Sequence, residues 1–173
     1  MATVYGPNVT NIRADPPVKN SVAVLGARVR AACGTKALLS TNILISNVVV
    51  MERLPTNACI LAIYLFADDL EGDGTSPLLT ANVGVHTTAG VAKDADVYAT
   101  LITTFQAASV AGSTNFAFEA RNITKMGNTL WQDAGDSTAP DPGTYYDITL
   151  TWAASARNAE AGDISWMIVY TID

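Results

Sequence analysis

The amino-acid sequence predicts a mainly β protein, an antiparallel β-sandwich of jelly-roll or immunoglobulin-like type. Residues 58–67 form an almost unbroken apolar run, and two segments near the end of the chain alternate apolar and polar side chains. Turn-forming residues separate these segments. With 173 residues, of which 49% are hydrophobic, the chain can bury one substantial core. We therefore expect one sandwich domain over residues 21–173 with one short helix, preceded by an extended N-terminal arm over residues 1–20.

The arm is predicted from its prolines. Pro7, Pro16 and Pro17 disfavour a helix, and no regular apolar period runs through residues 1–20. Its apolar side chains are sufficient for docking on a neighbouring subunit. The residues that we expect to contact a partner are Val4, Tyr5, Val9, Ile12, Arg13 and Lys19 of the arm, with Arg28 and Arg30 of the segment that follows.

Three strands are expected in the first part of the domain. Residues 21–32 are predicted to form the first, with Gly26 as a candidate bulge and with Arg28 and Arg30 on one face. Residues 43–51 are rich in β-branched side chains and are predicted to form the second. The third is the apolar run, which is expected to be buried on both faces. A turn at residues 52–57 predicts that the second and third strands are antiparallel neighbours.

A loop, a strand and a helix are expected next. Residues 68–77 are acidic and rich in turn formers, whereas residues 79–86 alternate and predict a half-exposed strand. From Asp94 the period changes, because Val97, Leu101 and Phe105 are spaced by four residues. Asp94 could cap the first turn, and Gly112 lies just beyond the end. This pattern predicts the one short amphipathic helix.

The last third is expected to return to β-structure. Residues 116–121 alternate and predict a strand, residues 122–128 a turn, and residues 129–132 a short strand or anchor. Residues 145–152 and 164–172 alternate throughout and predict two further strands. About eight strands in all favour a sandwich.

Charge is distributed unevenly along the chain. Residues 1–53 carry a net charge of +4, and the remainder carries −10. An acidic protein gains nothing from counterion release on a phosphate backbone, so nucleic acid is not expected as a partner. Two interpretations of the asymmetry stay open: acidity maintains solubility, or the basic segment docks on an acidic protein surface.

The acidic loop is the best candidate for a metal site. Asp69, Glu71 and Asp73 occupy the first, third and fifth positions of an EF-hand-like pattern, which would gather oxygen ligands around Ca²⁺. The pattern then fails, because its twelfth position is Thr80 and Pro77 interrupts it. We therefore expect a solvated acidic loop and no metal or cofactor.

No catalytic signature is present. His86 is the only histidine, and no nucleophile motif accompanies it. The loop acids at 68–69 and at Asp133 and Asp136 are expected to be solvated rather than to act as a carboxylate pair. Cys33 and Cys59 are expected to be small apolar residues of the core. The alternative is a disulfide between them on adjacent strands. The sequence therefore predicts a protein that is not an enzyme.

Aromatic side chains cluster in the last third of the chain. Trp152 and Trp166 fall on the apolar faces of alternating strands and are expected in the core. Trp131 and Tyr145 are the exceptions, and they are candidates for a sugar-stacking platform. The beginning of the chain lacks the pattern of a signal peptide, and no apolar run reaches the ~18 residues of a membrane span, so neither secretion nor a membrane is expected.

A family resemblance rests on short motifs spread over nearly the whole chain. They are Met-Ala-Thr-Val-Tyr at residues 1–5, Pro16-Pro17, Arg53-Leu-Pro-Thr-Asn-Ala58, Asp68-Asp-Leu70, Val83-Gly84-Val85, Asp94-Ala-Asp-Val-Tyr98, Leu130-Trp131, Asp141-Pro-Gly143, Tyr146-Asp-Ile148 and Ile168-Val-Tyr170. In these motifs the chain resembles the small virion structural proteins of tailed bacteriophages, of the capsid decoration or cement type.

The resemblance implies a non-enzymatic β-sandwich that binds the outside of an icosahedral head. Its partners would be the major capsid protein and further copies of itself, often as a homotrimer, and its location the exterior of the virion. Two alternatives stay open: a carbohydrate- or host-surface-binding module, and a head–tail or tail component.

Overall fold

The structure, a computed structural model, describes residues 16, 28–108, 114–136 and 140–172. Seven strands lie within these residues: β1 (Arg30–Leu38), β2 (Val48–Pro55), β3 (Ala58–Ala67), β4 (Thr80–Thr87), β5 (Ala92–Ile102), β6 (Tyr145–Ala154) and β7 (Gly162–Ile172). They form a three-stranded sheet in the order β1-β7-β3 and a four-stranded sheet in the order β2-β6-β4-β5. The predicted mainly β, antiparallel sandwich is confirmed.

The two last strands each lie in the middle of a sheet. β7 pairs with β1 on one side and β3 on the other, and β6 pairs with β2 and β4. Their alternating side chains fill the space between the sheets, with Ile148 and Leu150 of β6 and Ile164 and Ile168 of β7 buried. The apolar run forms β3 with the predicted bounds, but β3 is an edge strand of its sheet.

The predicted helix from Asp94 is wrong, because residues 94–102 belong to β5 and Phe105 lies in a 3₁₀ turn, and its predicted end before Gly112 lies outside the described residues. β5 carries extra residues relative to β4: Val83 lies opposite Ala99, but Val85 lies opposite Asp94. Such bulges break the two-residue alternation of a strand. The resulting spacing of apolar side chains imitates a helical period.

The predicted strand at residues 116–121 is also wrong. Phe116–Phe118 is a 3₁₀ turn, and the Asn115 side chain accepts a hydrogen bond from the backbone N–H of Ala117 at its start. The other short helical turns are Ser40–Asn42, Thr104–Gln106, Ile123–Lys125 and the π turn Gln132–Asp136. None of the helical turns described here has the length or apolar character of a membrane-spanning helix.

The early strands differ from the prediction in position and pairing. β2 begins at Val48 rather than at residue 43, and it pairs with β6 in the other sheet instead of with β3. β1 runs to Leu38, beyond the predicted end at residue 32. Residues 21–27 of that predicted strand, and the predicted arm apart from residue 16, lie outside the described residues.

Candidate interaction surface

The two sheets give the sandwich two long sides, each with two edge strands. β1 and β2 border one side, which we call the open side, and β3 and β5 border the other, which we call the closed side. An edge strand presents unpaired backbone N–H and C=O groups, so how each edge is covered decides where another chain can bind.

Residues 114–136 cover the closed side. Asn115 accepts a hydrogen bond from the backbone N–H of Ile63 (3.0 Å) and donates one to the carbonyl of Leu61 (3.3 Å). The guanidinium of Arg121 donates to the carbonyl of Ile60 (2.7 Å). Side chains of this segment thus supply the partners that a neighbouring strand would give to β3.

The same segment also covers β5. The backbone N–H of Ala120 donates to the carbonyl of Tyr98 (2.9 Å), and the carboxylate of Glu119 accepts from the N–H of Thr100 (2.8 Å). One segment therefore joins the edges of both sheets and closes this side of the sandwich.

A buried ion pair anchors residues 114–136, which we call the closing segment. Arg121 and Asp133 have fully buried side chains and form a salt bridge, and Tyr98 donates to Asp133 (3.0 Å). The guanidinium lies over the rings of Tyr98 (5.0 Å) and Phe118 (4.4 Å). Burial raises the pKa of Asp133, against the opposing positive charge of Arg121, and burial also raises the pKa of Tyr98. Asp133 therefore has a structural role, in contrast to the solvated position that the sequence predicts.

The open side has no such cover among the described residues. Within the part of the chain that the structure describes, β1 pairs with β7 alone and β2 with β6 alone. A groove of about 520 Å³ lies between the two edges, lined by residues that include Lys36, Leu38, Asn47 and Trp166. Its volume is within the range of roughly 300–1,000 Å³ that ligand pockets have.

Exposed aliphatic side chains line this groove or stand within two residues of its lining in the sequence. We call the set the apolar corner: Leu39, Leu44, Ile45, Val48 and Val50. Exposed aliphatic residues that follow one another on one corner are typical of surfaces that bind another protein.

The turn before β2 holds the apolar corner in place. The N–H of Ile45 donates to the hydroxyl of Ser155 (2.8 Å), and the N–H of Ser46 donates to the carbonyl of Trp152 (2.8 Å). Ser46 has a φ of 69°, a strained value for a residue other than glycine. These bonds to the end of β6 hold the turn that carries the exposed Leu44 and Ile45.

Two of the predicted partner contacts lie within the described residues. Arg28 and Arg30 are both exposed, at the beginning of β1. The remaining predicted contacts lie outside the described residues: Val4, Tyr5, Val9, Ile12, Arg13 and Lys19. The apolar corner was not predicted: Leu44, Ile45, Val48 and Val50 fall in the segment 43–51, which was predicted to be a strand without a partner surface, and Leu39 was assigned to no element.

The acidic loop is organised by hydrogen bonds to Glu71. The Glu71 carboxylate is buried and accepts hydrogen bonds from the backbone N–H groups of Leu78, Leu79, Arg157 and Asn158, all within 3.2 Å. Burial favours a higher pKa, but these N–H groups outweigh it and lower the pKa of Glu71 to about 2. The expectation that this residue is solvated is wrong.

His86 and the two cysteines are the other sequence candidates for chemistry. Across residues 28–108, 114–136 and 140–172, no three histidine, cysteine or acidic side chains stand close enough to share a metal ion. His86 is buried against Thr149 (2.7 Å), and burial lowers its pKa, partly offset by the charge of Asp147. Cys59 is buried as expected, but Cys33 is exposed on β1, so the prediction of a core position for Cys33 is wrong. The two cysteines are not joined by a disulfide.

The two aromatic candidates for sugar stacking differ in exposure. Tyr145 is exposed and borders a groove of about 280 Å³ that is also lined by Pro55, Asn57 and Asp141. Trp131 packs against the core. As predicted, Trp152 and Trp166 are buried, and Trp152 makes an edge-to-face contact with Phe105 at 5.1 Å.

Two solved structures contain chains of similar fold. One chain of the capsid asymmetric unit of cyanophage Pam1 is 19% identical, with a TM-score of 0.56 over 86% of this chain and 88% of that chain. A chain of the capsid of Ralstonia phage GP4 is 18% identical, with a TM-score of 0.59 over 84% of this chain and 85% of that chain. No protein-family model and no curated protein matches the sequence. The likeness establishes a shared fold over most of all three chains.

Proposed function

We propose that the chain is a structural virion protein of a tailed phage, of the capsid decoration or cement type. It binds the outer surface of the head and stabilises the contacts between capsomers. The observation that carries this proposal is the fold. It is shared with two chains from phage capsid structures, and each likeness covers more than four fifths of this chain and of the other.

The difference between the two sides of the sandwich supports a binding role rather than a catalytic one. The closed side is completed by the chain's own residues, whereas the open side presents the apolar corner and two strand edges that no described residue pairs with. Many copies on a symmetric shell gain avidity from contacts that are individually weak. A homotrimer at a three-fold position fits this symmetry.

The partners of this protein are the major capsid protein and further copies of itself. The basic first third contacts the shell through the arm and through Arg28 and Arg30, while the acidic body remains outside. Neither nucleic acid nor a cofactor takes part, and the protein is not an enzyme.

Co-sedimentation with heads of the encoding phage tests this proposal. The intact chain should pellet with heads that lack it, and a variant without residues 2–20 should remain in the supernatant. Undiminished binding of the deletion variant would rule out the arm as the contact. Failure of the intact chain to bind heads would reject the decoration role and favour a head–tail or tail position.

A second candidate function is carbohydrate binding, and the exposed Tyr145 beside its small groove favours it. An aromatic ring next to the Asp141 carboxylate and the Asn57 amide has the elements of a sugar site. A glycan array would show binding that Tyr145→Ala abolishes, without association with heads. Binding to heads that Tyr145→Ala leaves unchanged would exclude this function as the main one.

A further inference from the structure

The groove on the open side carries one sign of charge. Of the described residues that line it, Lys36 is the one with an ionisable side chain. Lys36 is exposed, and it belongs to a stretch of the sequence, residues 28–51, that contains Arg28 and Arg30 and no acidic residue. The apolar corner lies in the same stretch. This surface is therefore basic and aliphatic at once, and a partner that complements it is acidic and aliphatic.

The indole of Trp166 forms an aromatic wall of the groove and is held by both sheets. On β1, Gly34 lies so close to it that a Cβ at position 34 would stand 2.4 Å from the indole ring. On β2, the carboxylate of Glu52 accepts a hydrogen bond from the indole N–H (3.2 Å). These two contacts fix the position of the indole, so the wall is present in the free chain.

Two amide side chains supply further polar groups of the groove. The amide oxygen of Asn42 accepts a hydrogen bond from the backbone N–H of Leu39 (2.9 Å), so its NH₂ group is the part that remains for a ligand. The NH₂ group of Asn47 donates to the carbonyl of Asn42 (3.2 Å), which leaves the Asn47 amide oxygen as an acceptor. Lys36 and Asn42 thus both offer donors, and a carboxylate is the acceptor that suits them best.

We propose that the groove binds an acidic, aliphatic segment of the major capsid protein. A glutamate or aspartate of that segment places its carboxylate on Lys36 and Asn42, and its aliphatic neighbours pack against the valines of the groove and the apolar corner. The inference rests on the proposed function, because the shell supplies the segment. Charge complementarity selects the occupant, since a basic segment would be repelled by the cations of residues 28–51.

A zero-length cross-link tests this contact directly. Heads that carry the protein are treated with a water-soluble carbodiimide, which activates a carboxylate as an O-acylisourea. A lysine amine in contact with it displaces the activating group and forms an amide, and the carbodiimide leaves as a urea. After tryptic digestion and mass spectrometry, we expect Lys36 linked to an aspartate or glutamate of the major capsid protein. Lys93, which is 3.0 Å from Asp136, should give an internal link and serves as the positive control.

Variants of Lys36 show whether the charge contributes to binding. Lys36→Arg keeps the charge and removes the reactive amine, so it should bind heads within about twofold of the unmodified chain and lose the link. Lys36→Glu should weaken binding at least about tenfold, because two carboxylates then face each other. Lys125→Glu makes the same charge change at an exposed position of the closing segment and should bind normally.

An isosteric change tests the second donor. Asn42→Asp keeps the oxygen that accepts from Leu39 and replaces the NH₂ group with a second oxygen, so it should weaken binding at least about threefold. Asn122→Asp is the matched control, because the amide oxygen of Asn122 also accepts a backbone N–H, that of Thr124 (2.9 Å), on the closing segment. This control should bind normally. All variants should keep the circular dichroism spectrum of the unmodified chain, because each replaced side chain is exposed.

Failure of this inference and failure of the decoration role give different results. If the unmodified chain does not pellet with heads, both are rejected. If it pellets but Lys36→Glu and Asn42→Asp bind as well as their controls, only the inference is rejected. Two further results would overturn the inference alone: no link at Lys36 in a sample that contains the Lys93 link, and a link from Lys36 to a second copy of this chain.

Discussion

The closed and open sides of the sandwich differ in how their edge strands are covered. On the closed side, Asn115 and Arg121 bind the backbone of β3, and a fully buried ion pair with Asp133 anchors the segment that carries them. On the open side, exposed aliphatic side chains lie on or near edges that have no partner strand in the described part of the chain. Natural proteins protect exposed edges unless the edge has a partner. Under the proposed function, this difference concentrates stability on the closed side and binding on the open side.

The largest effect is expected from breaking the closed side at Arg121. Arg121→Met leaves the Asp133 carboxylate buried without its cation and removes the donor to the Ile60 carbonyl. Breaking a buried pair in this way costs about 3–5 kcal/mol. Urea denaturation should show this loss in the free energy of unfolding.

Lys93→Met is the matched control for that variant. Lys93 forms a salt bridge with Asp136 at 3.0 Å, but both side chains are about one third exposed. Solvent screens such a pair, so its removal should cost much less. Equal losses in the free energy of unfolding for Arg121→Met and Lys93→Met would contradict the special role of the closed side.

A smaller loss is expected where Glu71 joins the acidic loop to the loop before β7. Glu71→Gln keeps the shape of the side chain but replaces one acceptor oxygen with a donor that faces backbone N–H groups. Leaving such buried donors unsatisfied costs about 1–3 kcal/mol. The exposed Glu160 provides a control, because Glu160→Gln should leave the free energy of unfolding almost unchanged.

The same residue predicts a pH dependence. The pKa of Glu71 is lowered from 4.5 to about 2 on folding, so its ionised form stabilises the native state at neutral pH. That stabilisation is complete above pH 4.5 and is lost as the pH falls towards 2. Denaturation at several pH values should show a shallower fall over this window for Glu71→Gln than for the unmodified chain. Parallel curves would contradict the role of the carboxylate.

The smallest effect on stability is expected on the open side. Ile45 belongs to the apolar corner and is 59% exposed, while Ile123 on the closing segment is 58% exposed. Replacing either with lysine should change the free energy of unfolding by no more than about 0.5 kcal/mol. Ile45→Lys should weaken head binding about tenfold or more, as loss of an apolar anchor does. Ile123→Lys should bind normally. Equal effects on binding would remove the distinction between the two sides.

The residues show which parts of the fold a sequence can predict. β3 was predicted because its apolar run spans ten residues, and β6 and β7 were predicted because no bulge interrupts their alternation over residues 145–152 and 164–172. β5 was missed because its bulges change the spacing of buried residues, so that Tyr98 and Ile102 stand four apart. Pairing was missed for β2, because a two-residue turn joins it to β3 while the strands belong to different sheets.

The candidate surface was less predictable than the fold. In the sequence, Arg121 looks like an ordinary strand residue. Its burial becomes clear only in the folded chain, where it forms an ion pair with Asp133, twelve residues further along. Ile45 and Val48 look like core residues, because aliphatic side chains in a β-rich segment are usually buried. A surface that is completed by another molecule has the composition of a core, and sequence alone does not separate the two.

The most direct test of the central claim is an image reconstruction of heads that carry the protein. The decoration role predicts density for this fold on the outside of the shell, with the apolar corner and the beginning of β1 facing the major capsid protein and residues 114–136 facing solvent. Density with the closing segment against the shell, or heads without any density for this fold, would contradict the claim.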